Sequence, residues 1–176
     1  HRDLHSFPTR RSSDLISLIG CHCVILLNLE TAATEVYAGK CYVEGTTYYG
    51  HRNYIRISAP IGVAASDTHA MVSLKGPKAI LSVDKQSGRS GLLATTPLPS
   101  RFLLFDSNEN VLYTTMQHGL GRLNLAVASS DIELIAGRAR EGNTAGQLAT
   151  TMFHRPGDLI MLDAQTILIA DCQNNQ

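Results

Sequence analysis

The chain has 176 residues, 44% hydrophobic and 17% charged, with 15 Lys and Arg balanced by 15 Asp and Glu. This is the composition of a single globular domain, and it excludes collagen-like, coiled-coil and strongly disordered chains. A formal charge of zero also removes the sequence-independent attraction that a nucleic-acid binder would show.

In chain order, residues 1–15 come first. The stretch His5-Ser6-Phe7-Pro8-Thr9-Arg10-Arg11-Ser12-Ser13-Asp14-Leu15 resembles the conceptual translation of a sequencing adapter. Residues 1–15 are therefore set aside from the fold, as adapter-derived or as a polar disordered tail. The body from Ile16 onward stays close to neutral.

Ile16 to Leu29 is an apolar run with His22 at its centre. It is shorter than the roughly 20 residues needed to span a bilayer. It has the length of a signal-peptide core but no small-x-small cleavage site, and the internal repeat accounts for it better.

Three segments share a Pro, six residues and an Asp: Pro60 to Asp67, Pro99 to Asp106, and Pro156 to Asp163. Each is followed by a second apolar run, at Ala70 to Leu74, Val111 to Thr115 and Thr166 to Ala170. Pro60 and Pro156 lie 96 positions apart, and the same offset carries His22 onto His118 and Leu27-Asn28-Leu29 onto Leu123-Asn124-Leu125. Tyr37-Ala38-Gly39-Lys40 then falls opposite Ile135-Ala136-Gly137-Arg138, and Glu44-Gly45 opposite Glu141-Gly142. With the middle copy included the mean repeat is about 48 residues, a period typical of propeller blades.

Each unit reads as four short strands. In the unit opening at Pro60 they are predicted near Gly62 to Ser66, Ala70 to Leu74, Ala79 to Val83 and Gly91 to Thr95, with Gly, Pro, Asp and Ser between them. First strands such as Leu159 to Leu162 are apolar at consecutive positions, which predicts burial on both faces. The fold class expected is all-β: a partial β-propeller of four-stranded antiparallel blades in an open ring. The expected divisions are 16–39 as the end of one blade, 60–96 and 99–137 as blades, and 156–176 as the start of another.

At these residues the chain resembles the NHL-repeat propellers. The resemblance rests on Ile135-Ala136-Gly137, Phe153 three residues before Pro156, the apolar strand ending in Asp163, and Leu168-Ile169-Ala170-Asp171 followed by Asn174-Asn175. The middle copy departs from that pattern at Tyr113-Thr114-Thr115 and, with Gly121 to Leu125, looks somewhat like the YWTD propellers of receptor ectodomains. Both families form closed rings of six blades, so the resemblance implies a little over three blades here and the remainder elsewhere. A half ring leaves blade faces uncovered, and association is the expected consequence.

Little in the sequence carries chemistry. Cys21, Cys23, Cys41 and Cys172 lack a zinc spacing. Cys21 and Cys23 are expected as buried free thiols on one strand face, and a disulfide through Cys41 or Cys172 would need an oxidising compartment. His22, His51, His69, His118 and His154 show no paired metal spacing, so no metal, cofactor or catalytic residue is nominated. Asp67, Asp106 and Asp163 are expected to accept backbone N–H bonds at turns. The nominated binding residues lie in two long connectors: Tyr49, His51 and Arg52 in one, Arg138, Arg140 and Arg155 in the other. Surface connectors on a rigid scaffold commonly carry recognition, and Tyr and Arg concentrate interface energy.

The expected function is a non-catalytic scaffold binding a protein partner as part of a larger protein, with an extracellular, multidomain setting favoured. RNA is the partner disfavoured by near-zero charge, and no membrane segment is expected in the fragment. The alternative that the resemblance brings is a metal-dependent propeller enzyme, similar to peptidylamidoglycolate lyases or gluconolactonases.

Overall fold

The computed structural model describes residues 13–127, 131–138, 140–148 and 150–174. Residues 1–12 of the adapter-like segment, and Asn175 of the NHL-like motif, lie outside the described residues.

The described chain is all-β and forms four antiparallel sheets, none closed into a barrel. The first contains β1 (Ser13–Leu18), β2 (Cys23–Asn28) and β3 (Thr34–Gly39). The second contains β4 (Gly50–His51), β5 (Pro60–Ala65), β6 (His69–Leu74), β7 (Ala79–Asp84) and β8 (Arg89–Thr95), in spatial order β5-β6-β7-β8-β4. The third is the meander β9 (Ser100–Asp106), β10 (Val111–Met116), β11 (Gly119–Asn124) and β12 (Glu133–Gly137). The fourth pairs β13 (Leu159–Asp163) with β14 (Thr166–Ile169). The strands predicted for the Pro60 unit are β5 to β8, and β1 takes in Ser13, Asp14 and Leu15 from the segment set aside above.

The repeat is visible in the register. Cys23 faces Gly39, Ala79 faces Thr95, and Gly119 faces Gly137. In all three sheets a bulge follows one pair later, between Val24 and Ile25, Ile80 and Leu81, and Leu120 and Gly121. A bulge bends its strand and increases local twist, so its recurrence gives each sheet a similar curvature. This correspondence makes β1 the equivalent of β6 and β10. The prolines cluster without coinciding: Pro60 opens β5, Pro99 directly precedes β9, and Pro156 stands three residues before β13.

The apolar cores lie between sheets. Val24, Tyr37 and Ala38 of the first sheet meet Ala70, Val72, Leu74, Ala79, Leu81 and Val83 of the second. The opposite face of the second sheet, with Met71 and Ile80, meets Leu103, Leu112, Met116 and Leu123 of the third. Leu120 and Ala136 then meet Leu159 of the fourth, with Phe102, Tyr113 and Ile167 packed around them. Successive side chains of β6 and β7 thus serve different interfaces, which is why those strands read as unbroken apolar runs.

A repeated hydroxyl crosses these interfaces. Ser73, on the penultimate position of β6, accepts a hydrogen bond from the Gly62 N–H at 2.9 Å and donates to the Arg101 carbonyl of the next sheet. At equivalent positions Thr115 accepts from the Phe102 N–H at 3.2 Å within its own sheet, as Ser73 does from Gly62, and Ser17 donates to the Ile61 carbonyl of the second sheet. Gly62 is required at this crossing, because a Cβ there would stand 2.3 Å from the Arg101 carbonyl oxygen and 2.8 Å from the Phe102 Cα.

The expectation that Leu159 to Leu162 is covered on both faces is corrected. Leu159 is buried, but Ile160 and Leu162 are 55% and 61% exposed, because among the described residues no further sheet packs on the fourth. Ile16 and Val36 of the first sheet are also exposed.

Two outcomes are expected. Sedimentation of the isolated chain should show self-association that is reduced when Ile160 and Leu162 are replaced by Thr; a wild-type monomer at all concentrations contradicts this. Gly62→Ala should lower stability by more than Ser73→Ala. The latter should cost about 1–3 kcal/mol, because it leaves a buried N–H and a carbonyl without their partner. Urea melts of the two variants provide the comparison.

Candidate functional site

The connector between β3 and the second sheet is structured. Ile55 and Ile57 are 1% and 0% exposed and insert into the core between the first two sheets, while the alternate residues Tyr54 and Arg56 face outward. Gly50 and His51 form β4 by pairing with Ser90 and Arg89, and the Ser90 hydroxyl donates to the carbonyls of Tyr48 and Gly50. The Arg52 N–H donates to Gly88 O at 2.7 Å, and the Gly39 N–H to Arg52 O at 3.1 Å. Thr47 and Arg56 form an isolated antiparallel bridge.

Among the nominated residues of this connector, Tyr49 is 74% exposed and His51 is exposed, its ring 5.9 Å from that of Tyr54. Arg52 is half-buried, with its guanidinium 4.4 Å above the Tyr37 ring. That placement makes Arg52 a packing residue: the cation lies on an aromatic face inside the fold. Burial pushes the Tyr37 hydroxyl pKa up, and the Arg52 charge opposes the rise.

The second connector repeats the pattern. Thr144 and Met152 form the matching bridge, and the Gly142 N–H donates to Phe153 O at 3.2 Å. Glu141 pairs with His154 at 3.0 Å, as the equivalent Glu44 accepts a hydrogen bond from the Ser58 hydroxyl at 2.5 Å. Asp171 is a hub that sequence reasoning missed: it accepts from the His154 N–H at 2.9 Å and from the Asn174 amide at 2.7 Å. Arg138 is exposed and donates its N–H to His118 O, and Arg140 is exposed. Arg155 is exposed with φ 52°, as the matching Ala59 has φ 45°. The two connectors leave sheets that are two apart in the series, and each is fixed by its own neighbours.

His22 and His118 occupy equivalent turns, as their repeat positions suggest. The carbonyl of each sits against the glycine that ends the fourth-position strand, Gly39 or Gly137, both with φ near +86°. His22 Nδ1 accepts from the Ala59 N–H at 3.2 Å, while the His118 ring lies 6.0 Å from that of His154. Among the described residues no three His, Cys, Asp or Glu side chains gather as metal ligands, and no helix is long and apolar enough to cross a membrane.

Asp106 and Asp163 accept turn N–H bonds from Asn108 and Gln165 at 2.9 and 2.8 Å. The Gln165 N–H holds the Asp163 carboxyl below the usual carboxylate range. In the first copy Ser66 takes the role, accepting from the His69 N–H at 3.0 Å, and Asp67 is exposed.

The expectation for Cys21 and Cys23 is corrected. Cys21 closes a 3-10 turn (Ile19–Cys21), His22 follows with φ 56°, and Cys23 opens β2, so the two do not share a strand. Cys23 is bonded to Cys41 across 18 positions, while Cys21 and Cys172 are free.

No protein-family model and no curated protein matches this chain.

Cys41→Ala should lower stability by about 3 kcal/mol, the chain-entropy value for a loop of this size. A variant midpoint equal to that of wild-type protein shown by mass spectrometry to carry the bond contradicts a structural role for it.

Proposed function

We propose that this chain is part of an NHL-like propeller acting as a non-catalytic scaffold, with its blade connectors presented for protein binding. The carrying observation is the rigid first connector. It is anchored by buried Ile55 and Ile57, by β4 and by the Cys23–Cys41 bond, yet it holds Tyr42, Tyr49 and Tyr54 at 81%, 74% and 84% exposure. Aromatic side chains on a pre-ordered backbone give contact area at low entropic cost, a common property of interface anchors. The disulfide supports an oxidising compartment. The exposed tyrosines could equally stack on RNA bases, but a formally neutral chain lacks the phosphate attraction that dominates such binding.

Tyr49→Ala combined with Arg140→Gln should leave the Tm near that of wild type, since surface substitutions usually change stability by less than about 0.5 kcal/mol. The same variant should lose a protein that wild type retains in quantitative affinity purification. An unchanged set of retained proteins, or retention of RNA with a steep salt dependence, argues against the reading.

A further inference from the structure

We infer that the first connector and the outer edge of β3 form a docking groove for an extended acidic peptide, with Lys40 and Arg56 as its carboxylate contacts. This rests on the connector-binding reading above and names the chemistry of its partner. The groove encloses ≈650 Å³ and is lined by Val36, Gly39, Lys40, Asn53, Tyr54 and Arg56, beside the disulfide-bonded Cys41.

Three observations converge on this site. The first is free charge: among the described residues neither the Lys40 nor the Arg56 side chain takes part in an ion pair or hydrogen bond. Arg56 is nevertheless held in place. Its backbone exchanges hydrogen bonds with Thr47 at 3.1 and 3.2 Å, and its stem lies over Gly45, where a Cβ would come 2.6 Å from the Arg56 Cβ. A cation fixed by its backbone and stem but unpaired at its head loses little entropy on meeting a carboxylate.

The second observation is an internal comparison. The bridge partner equivalent to Arg56 in the other connector is Met152, which packs on Gly142 in the same way. The fold therefore accepts an uncharged residue at this point, and the guanidinium of Arg56 is not demanded by packing.

The third is the available strand edge. In the second sheet the outer strand β8 is covered by β4, whereas β3, its equivalent in the first sheet, is the outermost described strand; at its end the Gly39 N–H is already taken by Arg52 O, so an incoming chain would pair along β3 before Gly39. An exposed edge offers backbone donors and acceptors to an incoming extended chain, which a nucleic acid cannot use in that way. Val36 and Tyr54, 47% and 84% exposed, supply apolar walls for a side chain between two carboxylates. Because the whole chain is formally neutral, the attraction is local to the groove.

The test is fluorescence anisotropy with a labelled peptide of alternating Glu and Val, using wild-type protein and the variants Arg56→Met and Lys40→Gln. Wild type should bind it, and each variant should weaken binding by about tenfold, the loss expected for one charge-assisted hydrogen bond. Arg56→Met copies the packing found at Met152, so it should keep the wild-type Tm; Lys40→Gln provides a second reading if it does not. A peptide of alternating Gln and Val should fail to bind. Undiminished binding in both variants, equal binding of the Gln peptide, preference for an oligouridylate, or full displacement by inorganic phosphate would each overturn the inference. Protein retention that depends on Tyr49 and Arg140 while the Glu peptide fails would leave the connector reading standing without this groove.

Discussion

The structure depends on the close crossing of one sheet's second strand over the next sheet's first strand. At that crossing a hydroxyl from Ser17 or Ser73 donates to a carbonyl of the next sheet, and Ser73 and Thr115 each accept a first-strand N–H of their own sheet at the bulge. Ser73 and Thr115 are both 0% exposed. A buried backbone N–H or carbonyl without a partner is costly, so a small hydroxyl at this point lets the sheets approach with those groups satisfied. Gly62, beside Ser73 in the same sheet, sets the same distance, since any side chain there would meet the Arg101 carbonyl.

From that spacing the rest follows. The second and third sheets each have one face in each of two apolar clusters, while the first and fourth each contribute to one, so every cluster is shared between two sheets. Stability in such an array comes from neighbour interfaces, and the terminal sheets retain apolar side chains without cover. Ile160, Leu162 and Leu168 at one end and Ile16 and Val36 at the other are those side chains.

The first connector acquires its rigidity from the same interface. Ile55 and Ile57 fill the outer end of the core between the first two sheets, so the alternation of the chain carries Tyr54 and Arg56 to the surface as if they lay on a strand. The Cys23–Cys41 bond ties the start of the connector to β2, beside Lys40. The proposed docking surface thus lies on a segment whose alternate residues are core, with the Arg56 stem and backbone held beneath its exposed head.

The sequence by itself determined the all-β class, the positions of β5 to β8 and the equivalence of His22 with His118, because strand runs, turn residues and repeat offsets are local or periodic signals. It also indicated that Asp106 and Asp163 serve turns, since an Asp at a strand end reaches N–H groups only two residues away. Tertiary structure alone decided that Cys23 joins Cys41 and not its sequence neighbour, that Arg52 lies on Tyr37, and that Asp171 gathers the second connector. The hydroxyl crossing at Ser73 and Thr115 left a faint signal, a small polar residue one place before the end of two apolar strands, but its meaning depended on Gly62 and Arg101. Those outcomes are set by which distant segments come within bonding reach, and the packing of one sheet on the next supplies that proximity.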